Sequence, residues 1–191
     1  PHDITNQLSI NHPLISHPFT KIESVNILNL ILQNKEQAYI RISSSELDIS
    51  KYSKLEKVEL KSQKANLINL EKFISKNSLS NDKLVILFGP DSILLKDCVE
   101  HIKDSDAVIT VSVINKKMFK DLSEEINKFK RVLIIIPYEP SQIIFKLVSR
   151  INTFKNKPNS ILVLHPKPDF YDSSYEKIDI FRKYTEETKI I

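Results

Sequence analysis

Histidines are the first side chains to consider for chemistry, because imidazole acts as an acid, a base and a metal ligand near neutral pH. The chain has five: His2, His12, His17, His101 and His165. No two of them are four residues apart on a predicted helix, and none lies beside a pair of cysteines. The spacing that a zinc site requires is therefore missing. The sequence predicts no metal-binding residues.

His165 has the best position for a site. It follows Ile161 to Leu164, an apolar run that predicts a buried strand, and it precedes Pro166. Ligand sites in open parallel sheets lie at the carboxyl ends of strands. A loop histidine packed beside the proline explains the same pattern without chemistry, and we favour that interpretation.

Cys98 is the only cysteine, so neither an intrachain disulfide nor a cysteine cluster can form. It falls on the apolar stripe of a predicted helix. Its position therefore favours a small buried hydrophobe over a reactive thiol.

Polar side chains at the predicted strand ends could act as acids or bases. They are Asp91, Ser92, Glu139 and Asp169. Helix capping or a solvated turn explains each of them, so we name no catalytic residue. Arg41 extends a predicted strand, where it could pair with a carboxylate or reach a ligand.

The chain has a single glycine, Gly89, in 191 residues. Loops that cradle phosphates need several glycines, because only a residue without Cβ lets backbone N–H groups come close to the phosphate. A Walker-type loop, a dinucleotide fingerprint and a serine nucleophile elbow are all absent as sequence patterns. The commonest nucleotide-binding devices are thereby excluded.

The formal net charge of +4 does not favour nucleic acid as a partner. Of 28 basic residues only four are arginine, and the lysines are dispersed among 24 acids. No apolar run approaches the roughly 20 residues that cross a bilayer, so we expect no membrane association. Because the sequence begins at Pro1, a targeting peptide could have been removed. Localisation stays open, with the cytoplasm or an organelle interior favoured.

Strands and helices alternate in the second half of the chain. Strands are predicted at 84–88, 107–113, 131–136 and 161–164, and helices at 93–102, 115–129, 141–154 and 173–184. Parallel strands need such crossovers, so the pattern predicts an α/β fold with a mostly parallel sheet flanked by helices.

A partial second α/β unit precedes this domain. Its expected elements are a short strand at 14–15, a helix opened by the capping-box pair Thr20 and Glu23, and a strand at 37–42. We interpret residues 51–80 as a connector, with a short strand at 57–60 and a helix at 67–74 as its possible elements.

In order and spacing these segments resemble the C-terminal half of transketolase and its relatives, the thiamine-diphosphate-dependent enzymes. The similar segments are Leu14–Ser24 (strand, proline and "D-x-x-E-T" helix start), Ala38–Ser43 ("P-v-y-I-R-x-S"), Leu84–Ile93, Val111–Leu122, Arg131–Ile135 and Phe181–Ile190. The resemblance implies a partial pyrimidine-type segment over 1–50, the connector over 51–80, and a transketolase C-terminal-like domain over 81–191.

Departures from the family pattern fall near its active site. The family's phosphate-holding arginine would stand at Ser44, whose hydroxyl offers one neutral donor in place of a charged fork. The glycine-rich turn after the third strand is replaced by Tyr138–Gln142. His2 and the proline before it resemble part of the "G-P-T-H-Q" segment. The resemblance makes Arg41, Ser44 and His2 the candidate substrate-binding residues.

Two parts of the family's cofactor site are missing. The glutamate that activates the aminopyrimidine ring would lie upstream of Pro1, and the "G-D-G" metal–diphosphate motif occurs nowhere in the sequence. Thiamine chemistry needs both. We therefore expect this chain alone to bind no cofactor. Thiamine diphosphate and a divalent metal would be bound only if an upstream region or a partner subunit supplies the sites.

The resemblance implies a transketolase-like C-terminal region that is not catalytic by itself. It would serve subunit association or a structural role in a thiamine-diphosphate-type transferase or in a degenerate relative, a pseudoenzyme. Its partners would be further copies of the chain or a partner subunit. The alternative is a non-enzymatic α/β interaction module within a larger assembly, which would bind through apolar surface without a cofactor.

Overall fold

The computed structural model describes residues 14–19, 21–35, 37–42, 71–74, 82–114, 116–138, 140–167 and 185–191. The strands are β1 (Leu14–Ser16), β2 (Ala38–Ile40), β3 (Glu71–Ile74), β4 (Lys83–Phe88), β5 (Ala107–Val111), β6 (Val113–Ile114), β7 (Arg131–Ile135), β8 (Ser160–Pro166) and β9 (Thr185–Lys189). The helices are α1 (Lys21–Asn34), α2 (Cys98–Lys103), α3 (Lys116–Ile126) and α4 (Ser141–Ile151), with a 3-10 helix at Pro90–Leu94.

A six-stranded sheet in the order β3-β5-β4-β7-β8-β9 forms the centre of the fold. Its four inner strands are parallel, with Val85 in register with Val108 on one side and with Leu133 on the other. The two edge strands, β3 and β9, run antiparallel to their neighbours. The predicted α/β fold with a mostly parallel sheet is confirmed.

Helices cover both faces of this sheet, which explains why the inner strands are continuous apolar runs. On one face Ile86 lies in a core with Leu122 of α3 and Leu147 of α4. On the other face Val85 lies in a second core with Cys98 of α2. Successive residues of β4 therefore supply the two cores alternately, as the two-residue period of a strand requires.

A smaller sheet has the order β2-β1-β6. β1 and β2 are parallel and α1 connects them, whereas β6 runs antiparallel to β1 and pairs Ile114 with Ile15. Only Ser112 separates β6 from β5 in sequence. One extended segment of chain therefore belongs to both sheets, and the strand predicted as continuous over 107–113 passes from one sheet to the other at Ser112.

The structure corrects the sequence predictions at three elements. The helix predicted over 67–74 is wrong at Glu71–Ile74, which forms an edge strand hydrogen-bonded to β5. The helix predicted over 93–102 is two helices, because Leu95 is extended and buried and Asp97 has a positive φ of 58°. β9 was not predicted. The helix predicted at 173–184 and the strand predicted at 57–60 lie outside the described residues.

At the opening of α1, Glu23 bonds to the residue before the predicted cap, so the described contacts do not include the reciprocal pair of the predicted capping box. Glu23 is buried, and its carboxylate accepts a hydrogen bond of 2.6 Å from the backbone N–H of Phe19. The threonine of the pair lies outside the described residues. None of the helices in the described ranges combines the length and apolar character needed to cross a bilayer.

Removing buried volume from β4 should destabilise the whole domain. Ile86 is completely buried, so Ile86→Ala is expected to lower the free energy of unfolding by about 2–5 kcal/mol through lost burial and a cavity. Ile42→Ala is the matched control, because the same atoms are removed from a residue that is 79% exposed. Urea unfolding followed by circular dichroism measures both. Equal losses for the two variants would contradict the assigned core.

Candidate functional site

Three polar or flexible positions that each follow a strand directly come together where the two sheets join. His17 follows β1, Arg41 follows β2 and Gly89 follows β4. The backbone N–H of His17 donates to the carbonyl of Ser112 at 2.8 Å, and that of Gly89 donates to the carbonyl of Val111 at 3.0 Å. The two residues thus bind adjacent carbonyls of the segment that links β5 to β6, which places them side by side.

Gly89 occupies a conformation and a space that only glycine fits. Its φ of 71° and ψ of 162° lie in a region that other residues essentially never adopt. A Cβ at this position would overlap Nδ1 of His17 and would lie 2.8 Å from Cγ of the same ring. The His17 ring therefore packs directly on the Gly89 backbone, and it is 2% exposed.

Asp91 lies between the two basic side chains of this cluster. Its Oδ2 is 3.7 Å from Nε2 of His17 and 3.7 Å from Nη2 of Arg41. Both distances are too long for direct hydrogen bonds. The Arg41 guanidinium and the Asp91 carboxylate attract each other as opposite charges, and the His17 imidazole does so only in its protonated form. Arg41 is itself positioned by its backbone N–H, which donates to the carbonyl of Ser16 at 2.8 Å. We call His17, Arg41, Gly89 and Asp91 the junction cluster.

The geometry of the junction cluster suits structural support better than proton transfer. An Asp–His pair can orient an imidazole for acid–base work, but the imidazole must reach its substrate. His17 is almost fully buried, with Gly89 against its ring. Of the two expectations for Arg41, pairing with a carboxylate is confirmed by its approach to Asp91.

Ser92 and Asp91 do not have the capping role predicted for them. No side chain caps the 3-10 helix, whose N-terminal flanking residue is Gly89. Ser92 is fully buried, and its hydroxyl donates to the Gly89 carbonyl at 2.6 Å. Asp91 instead faces Arg41 and His17. A hydroxyl three residues after Gly89 thus holds the glycine backbone in place.

His165 lies within β8, so its interpretation as a loop histidine is wrong, although its position at the carboxyl end of the strand is confirmed. Its Nδ1 is 2.9 Å from the carbonyl of Pro166 and its Nε2 is 3.0 Å from Oγ1 of Thr188. A carbonyl only accepts, so Nδ1 donates, and in the neutral ring Nε2 accepts from the Thr188 hydroxyl. The ring therefore ties β8 to β9.

An open groove with a volume of about 610 Å³ lies beside His165, between α4 and the pair β8–β9. Its lining is largely apolar and includes Ile144, Phe145 and Val148 of α4 and Val163 of β8. This volume is typical of small-molecule sites. Among the described residues that line it, none is Lys, Arg, Asp or Glu.

Cys98 is buried at the start of α2, as its position in the sequence indicated. Burial, and secondarily the nearby Glu100 carboxylate, raises the pKa of the thiol from 9.0 to about 12. A thiol that stays protonated is a poor nucleophile. The prediction that Cys98 is an inert hydrophobe is supported on both counts.

Of the three candidate substrate-binding residues, the structure describes only Arg41. Arg41 belongs to the junction cluster, whereas Ser44 and His2 lie outside the described residues, as do Glu139 and Asp169. Within the described ranges no three His, Cys, Asp or Glu side chains are grouped so that they could hold a metal ion.

Sequence reasoning missed the partnership of His17, Asp91 and Gly89. One signal could have brought His17 and Arg41 together, since they directly follow the parallel strands β1 and β2. Such positions collect at the same edge of a parallel sheet. Gly89 follows a strand of the other sheet. The antiparallel pairing of β6 with β1, which brings the two sheets together, left no such signal.

Comparison of the chain with protein-family models, with curated proteins and with solved structures finds no match in any of the three.

Replacing the single glycine should loosen the junction. Gly89→Ala is expected to cost about 2 kcal/mol or more, from backbone strain and from overlap of the new methyl group with the His17 ring. A double-mutant cycle with His17→Ala isolates the second part, because only the strain remains once the ring is gone. The free energy of unfolding of all four proteins is the readout. An equal penalty for Gly89→Ala in both backgrounds would contradict the ring contact.

Cys98 should make the protein more sensitive to alkali. The folded pKa of about 12 lies above the unfolded value of 9.0, so the unfolded state loses its proton first. The contribution of the buried Cys98 thiol to the free energy of unfolding is complete below pH 9 and is lost as the pH rises towards 12. Cys98→Ala lacks this component, and its stability should fall less steeply over that window. Parallel slopes for the two proteins would contradict the prediction.

Proposed function

We propose that this chain is a transketolase-like C-terminal region, joined to the end of a pyrimidine-type unit, with a structural or subunit-association role and no catalysis of its own. It would serve a thiamine-diphosphate-type transferase or a degenerate relative. Its partners would be further copies of the chain or a partner subunit. The compartment would be one that keeps Cys98 reduced, the cytoplasm or an organelle interior.

The observation that carries this proposal is the shared β5–β6 segment. The small sheet obtains its third strand from the domain that contains the large sheet, with Ser16 in register with Val113. Ile15 of β1 also lies in the same core as Ile86 of β4. The two units are therefore built as one scaffold, as expected of a region whose role is to hold parts of an assembly in place.

The chemistry of the strand ends supports the same role. In open α/β sheets the strand ends are where ligands bind. Here the Asp91 carboxylate faces Arg41 and His17, and the Ser92 hydroxyl donates to the backbone of Gly89. These polar groups join the two sheets to each other, which is a structural use of the position.

A second candidate, a non-enzymatic α/β interaction module, is favoured by the outer surface of α1. Val25 is 49% exposed, Leu28 48% and Leu32 74%. Their spacing of three and four residues puts them on one side of the helix. We call these three residues the α1 stripe. Exposed apolar stripes mark surfaces that bind other macromolecules, and they need no cofactor.

An activity assay tests the absence of catalysis. The purified chain, supplied with thiamine diphosphate, Mg²⁺, a ketose phosphate and an aldose phosphate, is expected to show no ketol transfer above background. Calorimetric titration with thiamine diphosphate and Mg²⁺ is expected to show no binding. A complete transketolase under the same conditions is the positive control. Turnover by this chain alone would overturn the proposal.

A reconstitution experiment separates the two candidates. A purified chain that carries the "G-D-G" motif and the activating glutamate is mixed with this one, and both binding and ketol transfer are measured. Transfer that requires both chains supports the transketolase-like role. No complex with that chain, together with purification of the protein with an unrelated partner, favours the interaction module.

A further inference from the structure

Basic side chains that are dispersed in the sequence come together at one edge of the large sheet. The loops that precede β7 and β8 lie side by side there, because the carbonyl of Lys130 accepts hydrogen bonds from the backbone N–H groups of Asn159 at 2.7 Å and Ser160 at 3.3 Å. Five exposed cations belong to these two loops and the start of β7, and we call them the basic edge. They are Lys128, Lys130, Arg131, Lys155 and Lys157.

Acidic side chains are scarce around the basic edge. Glu125 pairs with Lys128, and Asp82 pairs with Arg131. The other three cations form no ion pair in the described part of the chain. In the sequence, residues 140–167 contain no Asp or Glu. The basic edge therefore keeps a net positive charge after its own ion pairs are counted.

The positive charge is limited to one side of the sheet edge. The chain before β5 carries both signs, with Lys103 followed by Asp104 and Asp106. The Asp106 carboxylate accepts hydrogen bonds of 2.9 Å from the backbone N–H groups of Asp82 and Lys83. Charges beside β4 and β5 are thus mixed, whereas those beside β7 and β8 are mainly positive. A surface of one sign attracts partners of the opposite sign and speeds their association.

An acidic protein segment fits the basic edge better than a nucleic acid does. Proteins that bind single strands stack the bases on exposed aromatic rings. Phe129 and Phe154, the rings of these two loops, are buried and half-buried. Base recognition in a duplex relies largely on arginine and on an element that enters a groove, but the basic edge is mostly lysine and lies in loops. Carboxylates need only the point charges that lysine supplies.

We propose that the basic edge binds an acidic segment of a partner polypeptide, a run rich in Asp and Glu whose carboxylates lie along Lys130, Lys155 and Lys157. This inference rests on the association role proposed above and gives the chemistry of the partner. Exposed ion pairs are individually weak, so we expect a Kd in the range of about 10–100 µM at low salt. The affinity is salt-dependent, because charges further apart than about 8 Å are screened at physiological ionic strength.

Fluorescence anisotropy with a labelled acidic peptide measures the binding. The probe is a fluorescein-labelled peptide of about 12 residues in which glutamate alternates with serine, and it spans about 40 Å when extended. Its affinity should fall at least about 10-fold between about 50 and about 300 mM salt. The same peptide with glutamine in place of glutamate is the uncharged control and should not bind.

Charge reversal locates the binding surface. Lys155→Glu combined with Lys157→Glu should weaken peptide binding at least about 10-fold, because each attraction becomes a repulsion. Lys96→Glu combined with Lys167→Glu is the matched control. It changes the net charge equally at the opposite edge of the sheet, where the Lys96 N–H contacts the first residue of β9 and Lys167 follows β8. This control should change the Kd less than about 3-fold.

A milder pair of variants keeps the test independent of folding. Lys155→Gln combined with Lys157→Gln removes the two charges without reversing them, so its loss of affinity should lie between those of the wild type and the glutamate variant. All the substituted lysines are exposed. Their urea unfolding midpoints are therefore expected to match that of the wild type.

The outcomes separate this inference from the function proposed above. No binding of the acidic peptide at about 50 mM salt, or an equal loss for the edge variants and the control, overturns the inference. A single-stranded oligonucleotide of about 12 nucleotides that binds more tightly than the peptide, and depends on the same lysines, overturns it in favour of nucleic acid. Ketol transfer by the chain alone overturns the proposed function but leaves the basic edge to be judged by peptide binding.

Discussion

The contact between the Gly89 backbone and the His17 ring is the constraint on which the connection between the two sheets depends. Gly89 directly follows β4 of the large sheet, and His17 directly follows β1 of the small sheet. Both bind adjacent carbonyls of one extended segment, so neither can shift without breaking a backbone hydrogen bond. Glycine adopts this φ and ψ without penalty, and Ser92, Val111 and His17 hold Gly89 in that conformation from three directions.

This arrangement gives a specific meaning to the scarcity of glycine. The one glycine of the chain stands at a position where a Cβ would overlap a buried ring. Next to Gly89, the Asp91 carboxylate faces the side chains of His17 and Arg41. The strand ends after β1, β2 and β4, a position where many α/β proteins bind a ligand, here contact one another.

The inner part of the fold could be predicted from sequence because its signals are local. Runs such as Leu84–Phe88 are apolar at every position, which is what burial on both faces of a parallel strand requires. The edges could not be predicted in the same way. Glu71–Ile74 and Thr185–Lys189 are short and partly charged, and they are strands because β5 and β8 offer them hydrogen-bonding edges. That information resides in the neighbouring strand and not in the segment itself.

The candidate site was harder to predict than the fold, for a related reason. From the sequence, Arg41 could be recognised as a residue that pairs with a carboxylate or reaches a ligand, and Gly89 as the single glycine. The partners of Asp91 could not, because His17 and Asp91 are far apart in sequence and a different strand brings them together. Helix capping is a good general explanation for a polar pair after a strand. Here the Ser92 hydroxyl donates instead to the Gly89 carbonyl, and Asp91 faces Arg41, which follows a strand of the small sheet.

The shared β5–β6 segment also determines the order in which the protein can be assembled on the ribosome. β1 bonds to a segment that follows it by about 96 residues, as the separation of Ser16 and Ser112 shows. Until that segment has been synthesised, β1 and β2 form only a two-stranded pair, which is marginal in water. The smaller sheet therefore lacks its third strand until residues 113–114 have been synthesised. Its edge at β1 stays open through much of synthesis, when unpaired edges are most prone to bind other chains.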